Sequence, residues 1–286
     1  MQTSISEKYS HTPQGQEANE ILRSCVHCGF CTATCPTYQL LGDELDGPRG
    51  RIYLVKQLLE GEAVSEKTRN HLDRCLTCRA CETTCPSGVK YGHLVDIGRE
   101  LVEQQVRRDA LGRLRRLALR KLVPYPARIK TLIGLGRLMS PLLPVGLRRK
   151  LPPLPEARPW PVQRHGRHML ILEGCVQSVS TPETNRATAS VLNKLGIELI
   201  RTPGTGCCGA VSHHLSAREE GLEFVRRNID AWWPHIEQGA EAIVITASGC
   251  GAMVKDYGHL LRHDRAYADK ALSLIHISEP TRLRRI

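Results

Sequence analysis

The chain has 286 residues, 41% of them hydrophobic, with 40 Lys and Arg against 29 Asp and Glu for a net charge of +11. That length allows one to three domains with buried cores, and no apolar run reaches the roughly 18 residues of a membrane span. The polar opening lacks the charged-then-apolar pattern of a secretory leader. The expected compartment is therefore the cytoplasm, where twelve cysteines point to metal or redox chemistry rather than cross-links.

Taken in order, residues 1–20 read as a flexible arm, and Glu20 to Ser24 as a short helical turn. The first cysteine run follows: Cys25, Cys28, Cys31 and Cys35, closed by Pro36. It recurs fifty residues later as Cys75, Cys78, Cys81 and Cys85, closed by Pro86. Both copies read C-x2-C-x2-C-x3-C-P, a spacing that builds two [4Fe-4S] clusters, with the fourth cysteine of each run serving the other cluster. The expected ligand sets are Cys25, Cys28, Cys31 and Cys85 for the first cluster, and Cys75, Cys78, Cys81 and Cys35 for the second. Structural zinc fits less well, because zinc sites pair short knuckles across a longer gap. Disulfides suit triplets two residues apart less well still.

Between and after the runs, helical spacing predicts helices over Ile52 to Leu59, Ser65 to Asp73 and Val89 to Val106. The Gly/Pro cluster at 47–50 marks a turn. Residues 1–104 are thus expected to form an α-helical ferredoxin domain with two clusters. Arg49, Arg51, Arg74, Arg79 and Lys90 lie close to the cysteines in sequence, where positive charge favours a reduced cluster. The bland alternative for each is a solvated surface charge.

Residues 105–165 are a basic, proline-interrupted helical linker. Its 105–150 part alone carries a charge of +12, so the remainder is nearly neutral. Leu111, Leu114, Ala118 and Leu122 line one helical face and Arg113, Arg115, Arg116 and Arg120 another. Such a face suits an acidic partner or an anionic membrane surface. Nucleic acid is excluded as a partner, since there is no aromatic interleaving and no groove-reading motif. Residues 151–165 are proline-rich and expected to be extended.

Residues 166–271 alternate strands at Met169 to Leu172, Ile197 to Ile200 and Ala242 to Thr246 with helices, one entered through Thr181-Pro182 and two predicted over Ser216 to Asn228 and Ala231 to Gln238. That alternation means a parallel α/β sheet. Cys175, Cys207, Cys208 and Cys250 all follow strand ends, where such sheets place ligand sites. Gly204 to Gly209 formally matches G-x-G-x-x-G, but two adjacent cysteines would crowd a pyrophosphate. His213 and His214 are a surface pair or proton carriers, and Trp232 and Trp233 packing residues.

The duplicated cysteine run, the later C-x31-C-C-G and Gly249-Cys250-Gly251, together with Gly47-Pro48-Arg49-Gly50-Arg51 and the stretches 231–238 and 247–255, resemble the iron–sulfur subunits of bacterial glycolate oxidases over about residues 15–271. The resemblance implies an oxidoreductase subunit that carries electrons from an FAD-containing partner, where glycolate becomes glyoxylate, through two [4Fe-4S] clusters to a quinone-type acceptor. It implies no flavin in this chain and a peripheral contact with the cytoplasmic face of the inner membrane through the basic linker. Relatives acting on lactate, glycerol 3-phosphate or heterodisulfides share the motifs, and the last suggest catalysis at the cysteine-rich domain. That domain, called CCG, occurs twice in the family. Here one copy is present, with a possible further iron–sulfur site at Cys175, Cys207, Cys208 and Cys250, and Met253 where the family's last cysteine stands. Residues 272–286 read as a translated sequencing adapter, so the natural chain is expected to continue past Ala271 with the second copy.

Overall fold

A computed structural model describes residues 1–142, 144–148, 159–161 and 163–278. The chain divides into two compact units, Met1–Arg113 and Leu114–Ile286, so the boundary falls inside the basic stretch.

The first unit is helical: α1 (Glu7–Ser10), α2 (Pro13–Ser24), α3 (Pro36–Leu41), α4 (Pro48–Leu59), α5 (Glu66–Asp73), α6 (Ala80–Thr84) and α7 (Tyr91–Gln105), with α8 (Ala110–Leu122) crossing the boundary. The expected arm at 1–20 is instead folded. Thr12 caps α2 by accepting the Gly15 N–H, and Pro13 occupies the first helical position, where its missing N–H costs nothing. Ala18, Ile21 and Leu22 then share one face and enter the core, while Ser6 bonds back to the Leu59 carbonyl. The short turn predicted at Glu20 to Ser24 is the last part of α2.

The GPRGR run is a helix start rather than a simple turn. Pro48 opens α4, and Gly50 lies so close to the preceding 3-10 turn (Glu44–Asp46) that a Cβ there would sit 2.2 Å from the Glu44 carbonyl oxygen. A capping box between Ser65 and Thr68 starts α5. Helices α2, α4, α5 and α7 surround one core in which Leu22, Leu59, Leu72, Leu94 and Val55 are almost wholly buried. Cys25 and Cys81 belong to the same core, which sets the cysteine loops against apolar side chains.

The second unit carries α9 (Pro126–Leu138), α10 (Val145–Arg148), β1 (Arg167–Leu172), α11 (Gln177–Ser180), α12 (Pro182–Lys194), β2 (Ile197–Arg201), α13 (Ala210–His214), α14 (Arg218–Glu237), β3 (Ile243–Ile245), α15 (Ser248–Lys255), α16 (Tyr257–Leu260) and α17 (Ala268–Ser278). Its sheet has the order β2-β1-β3 with both pairs parallel, and Leu170 lies opposite Ile200 and Ile243. Central β1 ends in Leu170, Ile171 and Leu172, all fully buried, as a strand covered on both faces must be. The fold is therefore α plus α/β, as expected. The two helices predicted over 216–238 are one, α14, with Pro234 inside its last turn and the apolar face Leu222, Val225, Ile229 and Trp232 continuous. Trp232 stacks on Tyr257 at 6.3 Å in the main core, and Trp233 instead donates to Glu237 at the surface. Helix α17 runs into the stretch read as adapter-derived, and Leu274 is buried in this core. The extended reading of residues 151–165 falls mostly outside the described residues.

Among the described residues no helix is long and apolar enough to cross a membrane.

Candidate metal centres

The two cysteine runs fold alike. In the first, His27 and Gly29 take left-handed backbone conformations (φ 58° and 86°), and in the second Thr77 and Arg79 do so at the same offsets (φ 53° and 58°). Two left-handed residues in five turn the chain into a tight cup with N–H groups pointing inward. The His27 N–H donates to the Cys25 sulfur, and the Thr77 N–H to Cys75 Sγ at 3.4 Å. For non-glycine residues this backbone costs of order 1 kcal/mol each, a cost typical of ligand-holding loops.

Each cup opens on a cavity. One is lined by Cys25, Cys28, Cys31 and Cys85, with Arg49 at its wall. The other is lined by Cys35, Cys75, Cys78 and Cys81, with Arg51 and Arg79. Cys81 and Tyr91 line both. The first cavity thus meets the three leading cysteines of its own run with Cys81 and Cys85 of the other, and the second meets three of its own run with Cys35.

Burial pushes the Cys25 thiol up and Cys31 up to about 11, and raises Cys81 further. Sulfurs held this way stay protonated unless a cation joins them, so a positively charged inorganic core fits the donor set. Among the described residues, the groupings tight enough for a single ion contain no cysteine. Tetrahedral zinc would bring its sulfurs to about 3.8 Å of one another.

One of the arginines expected near the cysteines is a structural clamp rather than a solvated charge. Arg51 is 1% exposed. It donates to the His71 carbonyl, to Thr37 Oγ1 and to Asp46, and the Thr37 hydroxyl lies 3.2 Å from Cys35 Sγ. Asp46 is fully buried and also takes Arg74 at 2.7 Å and His71 at 3.0 Å. Burial pushes this carboxyl up, but the bonds from His71 and Arg74 outweigh it and hold it below its ordinary range. Lys90 is exposed.

In the second unit, Cys175, Cys207, Cys208 and Cys250 also converge, although 75 residues separate the first from the last. Their sulfurs form a chain of hydrogen-bonded neighbours: Cys175 with Cys207, Cys207 with Cys208, Cys208 with Cys250. Bonding to Cys207, then burial, raises the Cys175 thiol strongly. Cys207 and Cys208, each pulled down by one neighbouring thiol and pushed up by the other and by burial, stand at about 12. Asn228, fully buried, fixes the loop by donating to the Cys207 carbonyl and accepting the Gly206 N–H, and Tyr257 donates to the Cys208 carbonyl. Val123 and Tyr125, at the end of the basic helix, pack with Cys175, Cys207 and Phe224. Met253 is 3% exposed and belongs to the main apolar core.

Known proteins match this division. Residues 21–89 match a 4Fe-4S dicluster domain and residues 169–255 a cysteine-rich domain, CCG. The chain is 59% identical to the "Glycolate oxidase iron-sulfur subunit" of Escherichia coli K12, over 95% of this chain and 67% of that protein. It belongs to the glycolate oxidase iron–sulfur subunit family. The "Probable glycolate oxidase iron-sulfur subunit" of Bacillus subtilis is 31% identical over 89% of this chain and 63% of its own. One subunit of the dihydromethanophenazine:CoB--CoM heterodisulfide reductase of Methanosarcina acetivorans is 24% identical over 90% of this chain and 62% of its own. The chain spans about two thirds of the length of these relatives, and no solved structure matches it. Family membership makes it an iron–sulfur oxidoreductase subunit, with [4Fe-4S] clusters as its cofactors.

Sequence reasoning missed Arg99. This α7 residue donates to the Leu72 and Cys75 carbonyls and to Thr77 Oγ1, clamping the entry to the second run. Only its place in a buried helical face, among Leu94, Val95 and Val102, hints at such a role.

Proposed function

We propose that this chain is the electron-carrying subunit of a glycolate oxidase complex. In this reading Cys25, Cys28, Cys31 and Cys85 hold one [4Fe-4S] cluster and Cys75, Cys78, Cys81 and Cys35 the other. When bound, the clusters accept and release single electrons, taking them from an FAD-containing partner that oxidises glycolate and passing them to a quinone-type acceptor. The chain's residues hold the sulfurs apart at the right spacing, back each site with apolar side chains, and bring the two sites together. The observation that carries the reading is that Cys85 joins Cys25, Cys28 and Cys31 at one cavity and Cys35 joins Cys75, Cys78 and Cys81 at the adjacent one, with Cys81 lining both.

The working division is a ferredoxin domain at 1–104, a basic linker at 105–165, a CCG domain at 166–271 and the tail at 272–286. The linker's docking role, on the partner or at an anionic cytoplasmic membrane face, rests on exposed Arg113 and Arg115 beside Leu111 and Leu114. Arg116 and Arg120 fit it less well, since they bond to the Leu215 carbonyl and Glu220. A further iron–sulfur site at Cys175, Cys207, Cys208 and Cys250 is favoured by their joined sulfurs and by the raised thiols of Cys175, Cys207 and Cys208.

The test is anaerobic mixing of the loaded chain with the flavin partner. Adding glycolate should bleach the absorbance near 400 nm, on the order expected of thiolate-to-iron charge transfer. Bleaching by lactate or glycerol 3-phosphate in place of glycolate would assign the chain to another complex.

A further inference from the structure

The two cavities in the first unit are built alike in backbone but not in what touches their sulfurs. Tyr91, at the start of α7, is 5% exposed and forms wall in both cavities. Its hydroxyl points to one side only, donating to Cys75 Sγ at 3.5 Å. Thr37 places a second hydroxyl 3.2 Å from Cys35 Sγ, although its hydrogen is shared with the Asp46 carbonyl at 2.7 Å. The first site has the backbone His27 N–H on Cys25, as the second has the Thr77 N–H on Cys75, and Arg49, paired with Glu44, at its wall. Buried Arg51 adds positive charge on the same side as Tyr91, partly offset by Asp46.

A donor to a ligating sulfur favours the state with more negative charge, which is the reduced cluster, and so raises its potential. We propose that Tyr91 is a potential-setting residue: through its hydrogen bond to Cys75 it makes the site of Cys35, Cys75, Cys78 and Cys81 the more oxidising of the two, and so gives the pair a direction. This rests on the crossed ligand reading above. One electron leaves the site of Cys25, Cys28, Cys31 and Cys85 and enters the other. No bond to hydrogen breaks, because burial keeps the phenol protonated. The ring, shared by both walls, fills the space between the sites with an apolar body and fixes their separation.

The test is a redox titration of the full loaded chain, followed by electron paramagnetic resonance. Cys28→Ser and Cys78→Ser assign each signal to its site. In the wild type, the signal altered by Cys78→Ser should have the higher midpoint. Tyr91→Phe keeps the ring and removes one hydrogen bond worth about 1 kcal/mol, or about fivefold in the reduction equilibrium. That equals about 40 mV at 59 mV per tenfold. The same signal should move down by that amount and the other should stay. If Tyr91→Phe loads iron poorly, the wild-type chain grown on 3-fluorotyrosine, a more acidic donor, should move that midpoint upward. A loaded chain in which neither change moves it, or in which the Cys28-linked signal moves instead, overturns this proposal alone. A chain without iron and sulfide overturns the ligand reading as well.

Discussion

Glu220 shows how a single side chain can change the reading of a whole segment. It takes Arg120 at 2.6 Å and Lys121 at 3.1 Å, and accepts the Ser212 hydroxyl. The Arg120 bond first, with Lys121 and Ser212 behind it and against the cost of burial, holds its carboxyl down at about 2. Because the folded value lies below the ordinary 4.5, this contribution to stability is complete above about pH 4.5. It is lost as pH falls toward 2, where protonation favours the unfolded chain. All three tryptophans lie at or beyond residue 160, so indole fluorescence reports on the second unit alone. Urea midpoints read that way should fall from about pH 5 to about pH 3 in the wild type and fall less steeply in Glu220→Gln; parallel slopes would contradict the assignment. Nothing in the sequence foretold this pairing, because Arg120 and Glu220 are 100 positions apart and each looks like an ordinary surface charge. The same holds for Arg51 and Arg99, which composition places on the surface and the fold places inside, where each finds carbonyl or carboxylate partners.

At the scale of elements, the cysteine runs were legible because their spacing is local. Four sulfurs within eleven residues leave the backbone few ways to turn, and the left-handed positions repeat with the fifty-residue offset. The strands were legible too, as short apolar runs bounded by glycine. The N-terminal helices were not, since Thr12-Pro13 is a cap only if the polar α2 finds a core to lie on. Nor was the length of α14, where Pro234 argues locally for a break and the continuous apolar face overrides it. Helix α4 offers a direct check on close packing. Gly50→Ala gains up to about 1 kcal/mol of helix propensity but drives a methyl into the Glu44 carbonyl, an overpacking cost of about 1–3 kcal/mol or more. The loaded chain should therefore melt earlier when followed by its cluster absorbance. Gly134→Ala, in α9 with open space around it, should instead leave the second unit as stable or more so. An unchanged or raised melting temperature in Gly50→Ala would mean that α4 approaches the Glu44 turn less closely than this packing requires.

For the molecule as a whole, three levels agree. Sequence spacing leads us to expect crossed ligand pairs, the fold brings the eight cysteines to two adjacent cavities, and the family to which the chain belongs carries iron–sulfur clusters. The CCG cysteines were legible as a group from their places after strand ends, and the parallel sheet brings those ends together. The central claim is that eight cysteines hold two clusters with the fourth ligand exchanged. It is tested most directly by iron and acid-labile sulfide analysis of the anaerobically purified chain, alongside Cys35→Ser. The wild type should carry at least about eight irons and eight sulfides. Cys35→Ser should alter the resonance signal that Cys78→Ser alters and spare the one that Cys28→Ser alters. A colourless wild type without sulfide, or a Cys35→Ser variant that perturbs the Cys28-linked signal instead, would contradict it.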